Sequence, residues 1–166
     1  DNCRTPSGVS YMLENREIMM KMFPDLFHSN RVLRVDDYPT RLLQTLMSLA
    51  PKKCDSSVPT VVLLTPGHLN SAYYEHTFLS DQMGIEMVEA QDLFVENDFL
   101  YMKTVDGPKK IDVVYRRIDD DYLDPLAYNP NSVIGVPGIT HVYKTGGVKI
   151  CSCLLYTSPS PRDSDT

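Results

Sequence analysis

Residues 60–64 read Thr-Val-Val-Leu-Leu, an apolar run with no polar alternation. A strand of that kind belongs where both faces of a sheet are covered, as in parallel sheets. The run leads into Thr65-Pro66-Gly67, and helical spacing follows over residues 70–83, with Gly84 placed to close the helix. Residues 85–88 supply the next strand. This strand–helix–strand unit restricts the chain to an α/β layer on a largely parallel sheet. In such sheets ligands sit outside the carboxyl ends of the strands, which directs attention to the Thr65 loop.

The remaining segments fit around that unit. Residues 93–95 and 99–103 flank Glu96-Asn97-Asp98 and read as a hairpin. Residues 111–115 read as another buried strand, residues 132–143 as a short helix interrupted around Pro137-Gly138, and residues 148–151 as a last strand. Upstream, Ile18, Met19, Met22, Phe23, Leu26 and Phe27 predict an amphipathic helix over 14–27, which Pro24 should kink or end. Residues 32–35 read as a short strand. Leu42, Leu43, Leu46, Met47 and Leu49 mark a helix from near Pro39 to Pro51, and 52–59 is a polar connection.

At 166 residues the chain holds about one domain, since domains run to ~100–150 residues. A net charge of −6 argues against a general nucleic-acid binder, which would carry a basic face. It leaves ATP open, because a few arginines, backbone amides and a magnesium ion suffice for phosphates. No apolar run reaches the ~18–20 residues that span a membrane, and no signal-peptide pattern follows Asp1. Cys3, Cys54, Cys151 and Cys153 do not form a disulfide framework, so reduced thiols in the cytoplasm are expected. Residues 153–163, CLLYTSPSPRD, match in frame the translation of a transposon-type sequencing adapter. Residues 153–166 are therefore expected to be an artefactual, disordered tail on a metagenomic fragment.

The densest charge lies in residues 115–125, YRRIDDDYLDP. Adjacent strand residues face opposite sides, so Arg116 and Arg117 cannot both serve one site on a regular strand. One can pair with Asp119–Asp121 while the other faces the crevice. The planar guanidinium suits a carboxylate or phosphate, and the aspartates suit Mg²⁺. An acidic helix-capping loop that balances two arginines explains the same residues. Thr65, Gly67, Asn70 and Ser71 either cradle an anion at a helix N-terminus or form a turn with Asn70 or Ser71 as cap. Glu75 and His76 follow one turn later, as substrate-polarising groups or ordinary polar-face residues. Asp1-Asn2-x-Arg4 and Glu14-Asn15-Arg16 offer carboxylate and carboxamide oxygens for magnesium, or a helix start.

The segments DNCRTPSGVSYMLENR, VVLLTPGHLNSAYYEH, MGIEMVEAQDLFV, DVVYRRIDDDYLDPL and GVPGITHVYKTGGV, in this order, resemble the bacterial circularly permuted ATP-grasp proteins of type 2. The resemblance implies a Rossmann-like (pre-ATP-grasp) parallel sheet with flanking helices over 58–152. It assigns 1–57 to the N-terminal helical piece of a truncated, permuted ATP-grasp domain. It implies an ATP- and Mg²⁺-dependent carboxylate–amine ligase, similar to glutathionylspermidine synthase-like enzymes, working through an acyl phosphate in peptide synthesis or modification. Inactive members make a non-catalytic binding or scaffold subunit the alternative. Carboxylate and amine substrates, either small molecules or peptides, are implied, as are alpha-E and transglutaminase-like partner proteins, with no nucleic acid or membrane. By the same resemblance Arg4, Arg16, Arg116 and Arg117 are the catalytic cations. Asp1, Glu14 and Asn15 hold the metal, in preference to the triple aspartate. Thr65, Gly67, Asn70, Ser71, Glu75, His76, Asp119, Asp120 and Asp121 bind substrate or phosphate. After Gly146-Gly147-Val148 the family pattern breaks off, so this fragment is expected to be inactive alone.

Overall fold

The computed structural model describes residues 7–54 and 56–151. Helices α1 (Val9–Met22), α2 (Pro24–Ser29) and α3 (Tyr38–Ser48) come first. Strand β1 (Val61–Leu64), helix α4 (Tyr73–Met83) and strand β2 (Glu86–Val88) form the expected parallel unit, with Val62 opposite Glu86 and Leu64 opposite Val88. Strands β3 (Leu93–Glu96), β4 (Phe99–Thr104) and β5 (Gly107–Ile111) make a separate antiparallel sheet. Strand β6 (Val113–Arg116) returns beside β1, and helices α5 (Asp120–Leu123) and α6 (Ile139–Lys144) lead to β7 (Lys149–Cys151). The parallel sheet runs β2-β1-β6-β7, so strand order reverses between β1 and β6.

Alternate residues of this sheet face two cores. Val62, Leu64 and Val114 pack with Leu100, Ile111, Leu123, Ile139 and Val142 of the hairpin sheet and the α5–α6 side. Val61, Leu63, Val113 and Tyr115 pack with Leu46 of α3 and Leu79 and Met83 of α4. The strands are therefore covered on both faces, which is why β1 and β6 carry no polar alternation.

Four expectations are corrected. Residues 111–115 are not one strand. Ile111 ends β5, Asp112 crosses between sheets, and the Asp112 and Val113 amides both donate to the Thr60 carbonyl at 3.0 Å. Helix α1 starts at Val9 rather than near Glu14, because Gly8 takes a left-handed φ of 85° and its amide finds a carboxylate on α4. Its apolar stripe does not meet a core among the described residues, and Ile18, Met19, Met22 and Leu26 are exposed. Residues 32–35 form no strand, having no ladder partner among the described residues. Pro24 does break the helix, standing first in α2, where its missing N–H costs nothing. Residues 153–166, called a tail above, lie outside the described residues.

Candidate functional site

The reversal of strand order puts the carboxyl ends of β1 and β6 side by side. Leu64 pairs with Arg116, and the Arg117 amide donates to the Leu64 carbonyl at 2.8 Å. Thr65-Pro66-Gly67 leaves β1 here, while Arg116 and Arg117 leave β6. Such reversal points are where α/β sheets open a crevice for ligands.

The Thr65 loop is organised by its own polar groups. Buried Thr65 Oγ1 accepts the Gly67 N–H at 3.2 Å and shares a 2.8 Å hydrogen bond with Nδ1 of buried His76. Gly67 has φ 105°, and a Cβ there would stand 3.3 Å from the Glu89 carboxylate, so both conformation and space call for glycine. Asn70 and Ser71 are exposed. Helix α4 begins only at Tyr73, without a side-chain cap, and Asn70 Oδ1 instead accepts the Ala72 amide at 2.9 Å in a local turn. The capping role expected of Asn70 or Ser71 is thus replaced by an Asx-type turn.

The two arginines diverge. Arg116 is 4% exposed, donates to the Ile118 carbonyl at 2.8 Å and forms an ion pair with Asp120 at the start of α5. Arg117 turns toward α4, where its guanidinium pairs with the Glu75 carboxylate and also lies 3.4 Å from the Tyr115 hydroxyl. Glu75, 1% exposed, uses its second oxygen to accept the Gly8 N–H at 2.6 Å and the Ser10 hydroxyl at 3.2 Å. One carboxylate therefore ties the start of α1 to the end of β6 through α4. Burial pushes the neighbouring His76 imidazole down to about 4, with the Arg117 cation adding to the effect and Glu75 opposing it. His76 is neutral at pH 7 and serves as a hydrogen-bonding partner of Thr65 rather than as a cation.

The aspartates separate in the same way. Asp120 is buried against Arg116, whereas Asp119 and Asp121 are exposed. Asp124, which lies in the same charged stretch but was given no site role, is 1% exposed and takes three backbone amides. Its Oδ1 accepts the amides of Leu126 (2.9 Å) and Gly138 (3.1 Å), and its Oδ2 that of Thr140 (2.9 Å). The Asp124-Pro125 pair was the visible clue, since aspartate before proline initiates turns.

Glu14 and Arg16 lie apart from this crevice. They line a groove of about 570 Å³ between α1, α2, residues 30–36 and Phe78 of α4. Arg16 Nη1 donates to the Leu33 carbonyl at 2.7 Å, and its guanidinium lies 5.8 Å from the Phe27 ring centre. Asn15 is exposed and does not line the groove, because successive helical residues point about 100° apart. Asp1, Asn2 and Arg4 lie outside the described residues. Among the described residues no three of His, Cys, Asp and Glu cluster for a metal. Glu14, Glu17 and Asp36 line this groove while the Asn15 carboxamide points elsewhere, so of the expected metal set among the described residues Glu14 alone faces it, which suits at most a magnesium ion held mainly by phosphate oxygens and water.

A family described as "A circularly permuted ATPgrasp" matches residues 1–155. The chain belongs to the circularly permuted ATP-grasp family. An uncharacterized protein of Synechocystis sp. is 51% identical over 152 residues, covering 92% of this chain and 31% of the relative. An uncharacterized protein of Mycobacterium tuberculosis is 50% identical over 155 residues, 93% of this chain and 28% of the relative. A Frankia casuarinae protein named "Putative glutamate--cysteine ligase 2-2" is 36% identical over 140 residues, 82% of this chain and 16% of the relative. This chain thus spans less than a third of the length of these relatives. Among the described residues of this ATP-grasp chain, no helix is long and apolar enough to cross a membrane.

Proposed function

We propose that the parent polypeptide is an ATP-dependent, Mg²⁺-requiring ligase that joins a carboxylate to an amine in peptide synthesis or modification. The observation that carries this reading is the family match over residues 1–155, and the ligase name of the Frankia relative supports it. In the parent, Glu14, with Asp1 and Asn15 as the further candidates, would hold magnesium, and Arg4 and Arg16 would stand by the phosphates. When bound, Mg-ATP would supply the γ-phosphoryl group to the substrate carboxylate and leave as ADP, and the amine would then attack the acyl carbon, lose its proton and expel phosphate to form the amide.

The residues around the crevice have more specific tasks. Thr65 and neutral His76 fix the loop after β1, so that residues 65–67 approach a ligand with a preset backbone in a Rossmann-like layer. Glu75 and Arg117 hold the start of α1 against that loop, keeping the N-terminal segment in register with the crevice. Exposed Asp119 and Asp121 are positioned to receive the amine, whose positive charge their carboxylates favour. Alpha-E and transglutaminase-like proteins are the partners we expect in the cytoplasm, and the present chain by itself is inactive.

A scaffold reading draws on one observation: Arg116 and Arg117 are already engaged by Asp120 and Glu75. Calorimetry of the full-length Synechocystis relative with Mg-ATP, followed by ADP release with mixed carboxylate and amine substrates, separates the two. Binding with substrate-dependent ADP release supports the ligase. Binding without turnover supports the scaffold, and absence of binding overturns both.

A further inference from the structure

Leu64 of β1 stands opposite Val88 of β2, and the Thr65 amide donates to the Val88 carbonyl at 2.9 Å, so the two strands end together. Pro66 and Gly67 leave one strand where Glu89 and Ala90 leave the other. Residues 133–134 of the α5–α6 connection close the third side. They are held there by the Val136 amide on the Leu123 carbonyl (2.9 Å) and by the bonds of Asp124 to the Gly138 and Thr140 amides. The result is a cleft of about 50 Å³ on the β2 side of β1, lined by Thr65, Pro66, Glu89, Ala90, Val133 and Ile134. Glu89 is the one charged residue of that lining among the described residues. Its carboxylate takes the Asp92 amide in a capping box and the Gln91 carboxamide at 3.3 Å, both neutral donors. No Lys, Arg or His among the described residues forms an ion pair with it. A carboxylate has about four lone-pair positions, so roughly two remain.

We propose that this cleft is a subsite for a primary alkylammonium group, with Glu89 as its counter-ion and Pro66, Ala90, Val133 and Ile134 around its first carbons. A partly buried carboxylate without a cation, walled by apolar side chains, is complementary to a charged head on a short apolar stem. An anion is repelled by the same carboxylate. A divalent ion needs more oxygen ligands than one carboxylate supplies. The volume lies far below the ~300–1,000 Å³ that encloses a drug-sized ligand, so the cleft takes the end of a molecule and not its whole. Gly67 keeps the carboxylate uncovered, since a Cβ there would stand 3.3 Å from Glu89 Oε1. The assignment of this ammonium to a substrate rests on the ligase reading. Under it the group held is a non-reacting one, because a nitrogen that keeps its proton has no lone pair with which to attack, and the attacking amine stays with Asp119 and Asp121.

Amide NMR of this chain during titration with n-butylammonium chloride tests it, with equimolar sodium chloride and sodium butyrate as controls. Saturable shifts should appear at Gly67, Ala90, Gln91 and Ile134 with Kd on the order of 10 mM, and neither control should reproduce them. Glu89→Gln keeps an acceptor for the Asp92 amide and should weaken binding by ~10-fold or more with melting unchanged. Val133, 92% exposed, stands at the mouth. Val133→Lys therefore spares the fold and should weaken binding by ~3-fold or more through like-charge repulsion. Nα-acetyl-lysine methylamide in place of n-butylammonium separates the sources: tighter binding assigns a peptide side chain, and weaker binding a small free amine. Shifts matched by sodium chloride, or binding that Glu89→Gln leaves unchanged, overturn the proposal. Should Glu89→Gln fail to fold, unchanged binding in Val133→Lys overturns it. Ammonium binding here without ADP release by the Synechocystis relative would sink the ligase reading alone, and turnover there without ammonium binding here would sink this subsite alone.

Discussion

Replacing Asp124 by asparagine should destabilise the chain by about 2 kcal/mol although the two side chains match in size. The reason is the acceptor count. Asp124 is 1% exposed and takes three backbone amides, those of Leu126 and Gly138 on Oδ1 and that of Thr140 on Oδ2. Hydrogen bonds to a charged group contribute ~1.5–3 kcal/mol each. Asparagine has one acceptor oxygen. In its better orientation it keeps Leu126 and Gly138 but turns an NH₂ toward the Thr140 amide, so one bond becomes a donor–donor contact. Alanine loses all three, and with solvent able to serve the Leu126 amide the cost comes to about 4 kcal/mol. For a chain of this size each kcal/mol moves Tm by ~2–4 °C, so asparagine should lower it by roughly 4–8 °C and alanine by roughly 8–16 °C. Urea titrations at constant m-value provide the free energies. Asp121→Asn is the control, because Asp121 is exposed in the same stretch and should shift stability by under ~0.5 kcal/mol. If Asp124→Asn behaves like Asp121→Asn, solvent serves the three amides and the reasoning fails.

Three further outcomes follow from the same interior. Glu75→Gln breaks a buried ion pair whose side chains are 4% and 2% exposed, and removal of one partner should cost about 3 kcal/mol. A double-mutant cycle with Arg117→Gln should show coupling above ~1 kcal/mol, and additive effects would refute the pairing. His76 titrates near 4 when folded against 6.5 when unfolded, so the unfolded chain takes up the proton first. Stability from this group is full above pH 6.5 and falls by on the order of 3 kcal/mol toward pH 4. An NMR titration that finds an ordinary histidine value, or a pH dependence untouched by His76→Gln, would contradict this. Gly135→Ala would place a Cβ 2.2 Å from the Tyr122 carbonyl oxygen and 2.8 Å from that of Leu123, both backbone atoms. It should cost about 2 kcal/mol or more in melting experiments, and an unchanged melt would show that the loop yields.

The β1–α4–β2 unit was legible because each of its signals is local: an unbroken apolar run, helical spacing and a closing glycine. β5 was not. Gly107-Pro108-Lys109-Lys110 has a polar, proline-bearing sequence, and only its pairing with β4 makes it a strand. The start of α1 was displaced for a similar reason, since the group that receives the Gly8 amide lies 67 residues away on α4. In the site, divergence of the two arginines followed from strand alternation alone. The pairing of one arginine with the Asp119–Asp121 run was legible as well, and Asp120, four residues along, takes Arg116; Glu75 was not, because it meets Arg117 only through the packing of α4 against β6. Asp124 was counted with the charge of its stretch but given no role, since a carboxylate that serves backbone amides leaves no pairing pattern along the chain.

These pairings change what the charges of YRRIDDDYLDP can do. Arg116 is engaged by Asp120, Arg117 by Glu75, and Asp124 by three amides, so each is oriented by buried partners. A phosphate approaching Arg117 must compete with a carboxylate that is itself bound to the start of α1. An anion that took Arg117 at the end of β6 would therefore also act on the placement of the N-terminal segment. If an anion draws Arg117 away, Glu75 keeps Gly8 and Ser10 but loses its cation, and the hold of α4 on α1 weakens. The crevice and the first helix share one carboxylate, so an anion that drew Arg117 from Glu75 would loosen the first helix as well.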